Sequence, residues 1–137
     1  MTASQDPAEQ GWEREVGVDE FAALVGPLLS RTRNGDKEYA FVAASKHLSR
    51  YARVHGGMLM WLMDKALAMK AWEAAGRPEQ IATIQLDVQF LSAVEESSLV
   101  ESRCTVVRKT GSLVFMTGQL LSAGTVLVSA SGVWKYR

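Results

Sequence analysis

Hydrophobic and polar positions divide the chain into two regimes. From Val54 to Glu73 (VHGGMLMWLMDKALAMKAWE) apolar residues crowd almost every helical face. The run is long enough for about five turns at ~3.6 residues per turn. Gly76 and Pro78 close it, as helix C-caps do, so the pattern predicts a helix from about Gly57 to Ala75. A helix apolar nearly all round is expected to be wrapped by the rest of the protein. After Pro78 the period drops to two. Ala82, Ile84, Leu86, Val88 and Phe90 alternate with Thr83, Gln85, Asp87 and Gln89, which predicts a half-buried strand over Ile81 to Leu91. Strands over Leu99 to Arg108, Leu113 to Leu121 and Thr125 to Tyr136 follow, divided by turn signals at Lys109 to Ser112 and Ser122 to Gly124.

Upstream, Phe21, Leu24, Val25, Leu28 and Leu29 fall at helical spacing within Val18 to Arg31, with Asp19 as N-cap and Pro27 able to kink or split the helix. Arg33 to Asp36 is a turn, Tyr39 to Ala44 a short strand and Lys46 to Arg53 a polar loop. Residues 1–15 read as a flexible leader and 16–137 as a single domain. One face of the C-terminal meander carries Val100, Ser102, Cys104 and Val106, then Val114, Met116, Gly118 and Leu120, then Val126, Val128, Ala130, Gly132 and Trp134. The small residues among them let a thick helix settle close. The fold class is therefore α+β: a mostly antiparallel sheet of four or five strands around one long central helix, with an extra N-terminal helix.

Composition narrows the function. Fifteen Lys and Arg balance fifteen Asp and Glu, and without a basic run there is no footprint for nucleic acid. No stretch reaches the ~18 apolar residues of a membrane span. The polar, acidic start is no signal peptide. A single cysteine, Cys104, fits a reducing compartment. A cytoplasmic protein is expected, with no membrane partner.

Candidate chemistry centres on the long helix. Asp64 stands there among Met60, Trp61, Leu67 and Ala68. It is either a working acid or a solvated one paired with Lys65 or Lys70. A carboxylate in such a place can deprotonate a water or attack a carbonyl itself. Gly56 and Gly57 open the helix, where free N–H groups can hold an oxyanion, or where glycine merely serves a tight turn. Two histidines, His47 and His55, without metal spacing argue against a metal site. His55 is read as a general acid or, in preference, as a ring that hydrogen-bonds the loop backbone. Arg50, Arg53, Arg108 and Lys109 suit phosphates or are surface charges. Cys104 is read as a small core residue.

The order of elements, together with HGGMLMWLMD, resembles the hotdog fold, and within it the acyl-CoA thioesterases that include the phenylacetate-pathway enzymes, in the 4-hydroxybenzoyl-CoA thioesterase superfamily. The resemblance covers roughly Tyr39 to Tyr136. The family pattern places an acid nine residues after the His of His-Gly-Gly, as Asp64 follows His55 here. A Ser or Thr opening the next strand is met by Thr83, and a basic-Gly-Ser turn by Arg108 to Ser112. Many members carry Asn six residues before that His and Gly three before it, where this chain has Ser49 and Ala52.

The resemblance implies hydrolysis of an aliphatic or aromatic acyl-CoA. Asp64 is base or nucleophile, Gly56 and Gly57 hold the oxyanion, and Ser49 and Thr83 assist. His55, Gly57, Arg108, Lys109 and Ser112 contact the substrate. No cofactor is needed beyond the coenzyme A of the substrate, and no metal. Strict alternation points Thr83 away from its own helix, so the resemblance implies that it serves a partner's site, in a homodimer or homotetramer. Two alternatives stay open: a non-catalytic binder of acyl-CoA or another hydrophobic ligand, to which Ser49 points, and a hydratase of enoyl thioesters that pairs His55 with Asp64.

Overall fold

A computed structural model describes residues 6–137. Seven strands, β1 (Glu13–Arg14), β2 (Leu29–Arg33), β3 (Asp36–Val42), β4 (Ile81–Phe90), β5 (Leu99–Lys109), β6 (Leu113–Ser122) and β7 (Thr125–Tyr136), form one sheet. Their order is β1-β2-β3-β5-β6-β7-β4, antiparallel throughout. Two helices accompany them, α1 (Glu20–Val25) and the long α2 (Gly56–Ala74). This is the expected hotdog arrangement, with more strands than the meander alone supplies.

The additional strands come from the N-terminal third. The helix expected to reach Arg31 stops at Val25, and Leu29–Arg33 is a strand. Pro27 breaks the helix because it has no N–H to donate. Beyond it, Asn34 and Gly35 both take positive φ, at 53° and 81°. That is the two-residue loop of a tight hairpin, and it requires strands on both sides. The expected loose leader is in part ordered: β1 pairs with β2, Trp12 is buried, and the Arg31 guanidinium lies 4.2 Å from its ring centroid. The leader's first five residues lie outside the described residues.

Helix α2 packs on the sheet through Met58, Leu59, Leu62, Met63, Ala66, Leu67 and Ala71. The sheet face holds Val100, Ser102, Val114, Met116, Leu120, Val128 and Trp134, all fully buried. Close approach shows at Gly118, where an added Cβ would stand 2.7 Å from Met63 Cε and 2.9 Å from Leu67 Cδ2. Cys104 packs against this core, and burial pushes its thiol up to about 12, so it stays protonated and inert. Val126 leaves the predicted face. It pairs with Leu121 while Val128 pairs with Leu120, so Leu127 is an extra residue, and Leu127 takes the core position.

Wrapping of α2 is one-sided. Met60 is 37% exposed, and Trp61, Asp64 and Lys65 are only half-buried. The apolar girth of the helix therefore exceeds what one chain covers, and the uncovered strip carries the acid.

Candidate active site

Asp64 lies in the third turn of α2, half-buried, and accepts one hydrogen bond: Thr83 Oγ1 donates to its Oδ1 at 2.7 Å. Neither Lys65 nor Lys70 is paired with it. Lys70 is bound to Asp36 at 2.8 Å, and Lys65 makes no ion pair among the described residues. The second carboxylate oxygen is free of protein partners among the described residues.

Thr83 reaches Asp64 of its own chain because β4 is not a regular strand. Thr83 pairs with Trp134, and Gln85 with Val133, so Ile84 is an extra residue. A bulge of one residue reverses the alternation on either side of it. Ile81 and Thr83 share the face of Trp134, whereas Leu86 and Val88 hold the inward positions after the bulge. Ile84 is left 59% exposed. The expectation that Thr83 points away from its own helix is thus corrected, for a register reason.

The His-Gly-Gly turn is built from its backbone. His55 N–H donates to His47 O at 2.9 Å, and His55 O accepts from Met58 N at 3.0 Å and Leu59 N at 3.3 Å. His55 is the N-cap, yet its ring makes no cap bond and is exposed. The ring that does bind loop backbone is that of His47, 4% exposed: Nδ1 accepts from Ala44 N–H at 2.9 Å, and Nε2 faces Val25 O. The first contact leaves Nδ1 without a proton, so the neutral Nε2–H tautomer donates to Val25.

Among the described residues the N–H groups of Gly56 and Gly57 have no acceptor, as expected of the first amides of a helix that no side chain caps. An added Cβ at Gly56 would stand 3.2 Å from the Phe90 ring, and both residues line an open depression of about 260 Å³ together with Val54, Leu59 and Val94. Phe90, half exposed, is a wall of this cleft that alternation marks only as a core position.

The remaining predicted residues fall at two places. Ser49 sits in a tight loop before the glycines, where its N–H donates to Arg53 O at 2.7 Å and its hydroxyl accepts from Tyr51 N at 3.2 Å. Ala52, in the same loop, takes a left-handed φ of 58°. Arg50 is exposed, and Arg53 lies 3.8 Å from Glu95. Arg108, Lys109 and Ser112 belong to the β5–β6 hairpin. Ser112 O accepts from Tyr136 N at 2.9 Å, and Tyr136 pairs with Ile81, so this hairpin lies at the end of β4 that carries Thr83.

The structure thus brings Asp64 and Thr83 together and sets Gly56 apart. Eight residues separate Gly56 from Asp64, or about 12 Å along the axis at ~1.5 Å per residue.

A long helix against an antiparallel sheet, with an acid on its open side and free amides at its start, defines a hotdog protein of the thioester-hydrolysing class. The thioesterase superfamily model matches residues 51–129, more than half of the chain, and the chain belongs to that family. No curated protein matches it. Among solved structures, a conserved protein from Pseudomonas aeruginosa superposes with a TM-score of 0.80, at 19% identity over 88% of this chain and 95% of that one. A putative thioesterase of Ralstonia eutropha, related to phenylacetic acid degradation, gives 0.75 at 22% identity, covering 96% and 98%. A Bacillus halodurans protein bound to CoA gives 0.79 at 16%, covering 90% and 82%. At such identities the likeness shows the fold.

Proposed function

We propose that the protein hydrolyses a hydrophobic acyl-CoA, with Asp64 as general base or nucleophile and Thr83 of the same chain holding it. The observation that carries this is the Thr83–Asp64 hydrogen bond on the open side of α2, which leaves one carboxylate oxygen free. As base, Asp64 takes a proton from water while the oxygen attacks the thioester carbon. The C–S bond then breaks, and the proton passes to the departing thiolate. As nucleophile, it forms an anhydride that water opens. A structural relative from Streptococcus pneumoniae, described as a hypothetical thioesterase, also contains coenzyme A, which supports that class of substrate. Arg108 and Lys109, at the Thr83 end of the sheet, suit its phosphates. The proposed reaction uses no metal or redox group.

We propose further that the oxyanion amides come from a second copy. With Asp64 as nucleophile, a carbonyl within ~3.5 Å of the carboxylate and ~3 Å of its donors spans about half of the roughly 12 Å of helix rise from Gly56 to Asp64. Two antiparallel α2 helices related by a two-fold bring the start of one beside the middle of the other. In this arrangement Gly56 and Gly57 of one subunit serve Asp64 and Thr83 of its partner. Such amides lower a barrier by about 3 kcal/mol.

Two inactive variants test this. Asp64→Asn removes the acid. Gly56→Pro removes one amide at the first helical position, where proline fits the backbone after a His55 with ψ of 136° and the half-exposed Phe90 ring must give by a few tenths of an ångström. Coenzyme A release from aliphatic and aromatic acyl-CoAs is expected from the wild type and from neither variant. Refolding the two together restores one intact site in each mixed dimer, or about a quarter of the wild-type activity from an equal mixture. Full activity in Asp64→Asn refutes the role of the acid, and no recovery on mixing refutes the shared site. A binding protein without turnover is the second reading. It is favoured by the Ser49 hydroxyl, which is committed to Tyr51 N, and saturable acyl-CoA binding without hydrolysis would establish it.

A further inference from the structure

We infer that Phe21 of α1 and Trp61 of α2 form the wall against which the acyl group packs, so that the short N-terminal helix selects the substrate. This rests on the thioesterase reading above. Trp61 precedes Asp64 by three residues and Met60 by four. At ~100° per residue they stand about 60° to one side of the acid and about 40° to the other, on the turn toward which its side chain leans. Phe21 completes the group from outside α2: its ring centroid lies 6.1 Å from that of Trp61, tilted by 55°.

Helix α1 is built in an unusual way for so short an element. Ala22 is its one buried residue, whereas Phe21 is 55% and Leu24 71% exposed. Burial therefore does little to hold it. Asp19 Oδ1 caps its start by accepting from Ala22 N at 2.8 Å, and two polar bonds tether its end: Lys46 Nζ donates to Leu24 O at 3.2 Å, and the buried His47 ring donates to Val25 O. These tethers hold Phe21 against Trp61, one turn before the acid on α2. A thioester carbon within ~3.5 Å of the Asp64 carboxylate puts the rest of a large acyl group within reach of the neighbouring turn. An acetyl group is too short to use that surface.

The test compares kcat/KM for phenylacetyl-CoA and acetyl-CoA in wild type, Phe21→Ala and Phe21→Leu, with particle size measured by light scattering. Phe21 is exposed enough that truncation opens no core cavity. Phe21→Ala is expected to lower kcat/KM for phenylacetyl-CoA roughly tenfold and to leave acetyl-CoA within about twofold, with most of the loss recovered in Phe21→Leu. Equal changes for both thioesters, or none, overturn the inference and leave the hydrolase reading standing. So does a smaller particle with unchanged selectivity, which makes the patch a subunit contact. A wild type that cleaves neither thioester refutes the hydrolase reading, and the role of α1 falls with it.

Discussion

A single threonine hydroxyl orients the acid on which the proposed chemistry depends. Thr83→Val keeps shape and loses the hydrogen bond. Bonds to charged groups are worth about 1.5–3 kcal/mol, so kcat is expected to fall roughly ten- to a hundredfold. Thr83→Ser, which keeps the donor, should retain most of the rate; equal rates for Val and wild type at saturating acyl-CoA would remove the orienting role. Ala52 gives a second prediction. The family's glycine position is occupied here by a residue with φ of 58°, where an L side chain is strained. Ala52→Gly relieves that strain at some cost in chain entropy, and should raise stability by about 0.5–1 kcal/mol, read as a small rise in Tm. Asp64 and the glycine pair stand out in the sequence as the features of the helix that packing does not require, whereas Thr83 enters only through the family resemblance, and its bond to Asp64 shows only in the fold. Which histidine holds the loop was not legible, because a ring's partners depend on chain segments that only folding brings together, and His47 meets Val25 across 22 positions.

The elements depend on residues that sequence periodicity cannot weigh. The long helix and the four C-terminal strands were legible because their patterns run for ten residues or more. Leu29–Arg33 was not, since five residues fit a helix tail as well as a strand. Nor were the bulges at Ile84 and Leu127, each a one-residue change of phase inside an apolar run. Gly132 shows what holds the first of these. An added Cβ there would stand 2.5 Å from the Gln85 carbonyl and 2.8 Å from the Trp134 ring. The missing side chain makes room for the bulged carbonyl as well as for a core ring. Gly132→Ala is expected to cost about 1–3 kcal/mol by overpacking. Because the bulge sets the direction of Thr83, it should also lower kcat more than Gly118→Ala does, when both are compared in denaturant melts and turnover. Equal turnover for the two variants would disconnect the bulge from the site.

For the whole molecule, the uncovered strip of α2 and the exposed length of β4 ask for a partner. Light scattering is expected to give a dimer or a multiple of one, with hydrolysis falling on dilution below its dissociation constant; a strict monomer with full activity would exclude the shared site. No helix among the described residues is long and apolar enough to cross a membrane. The two edges of the sheet differ in what they can join. At one lies β4, ten residues with a full row of backbone groups; at the other lies β1, the two charged residues Glu13–Arg14. A two-fold joint between two copies of β4 consumes the long edge of both and leaves only the short, charged ones at either end. Growth of the sheet then terminates at two chains, so this fold can carry an adhesive strand without seeding a fibre.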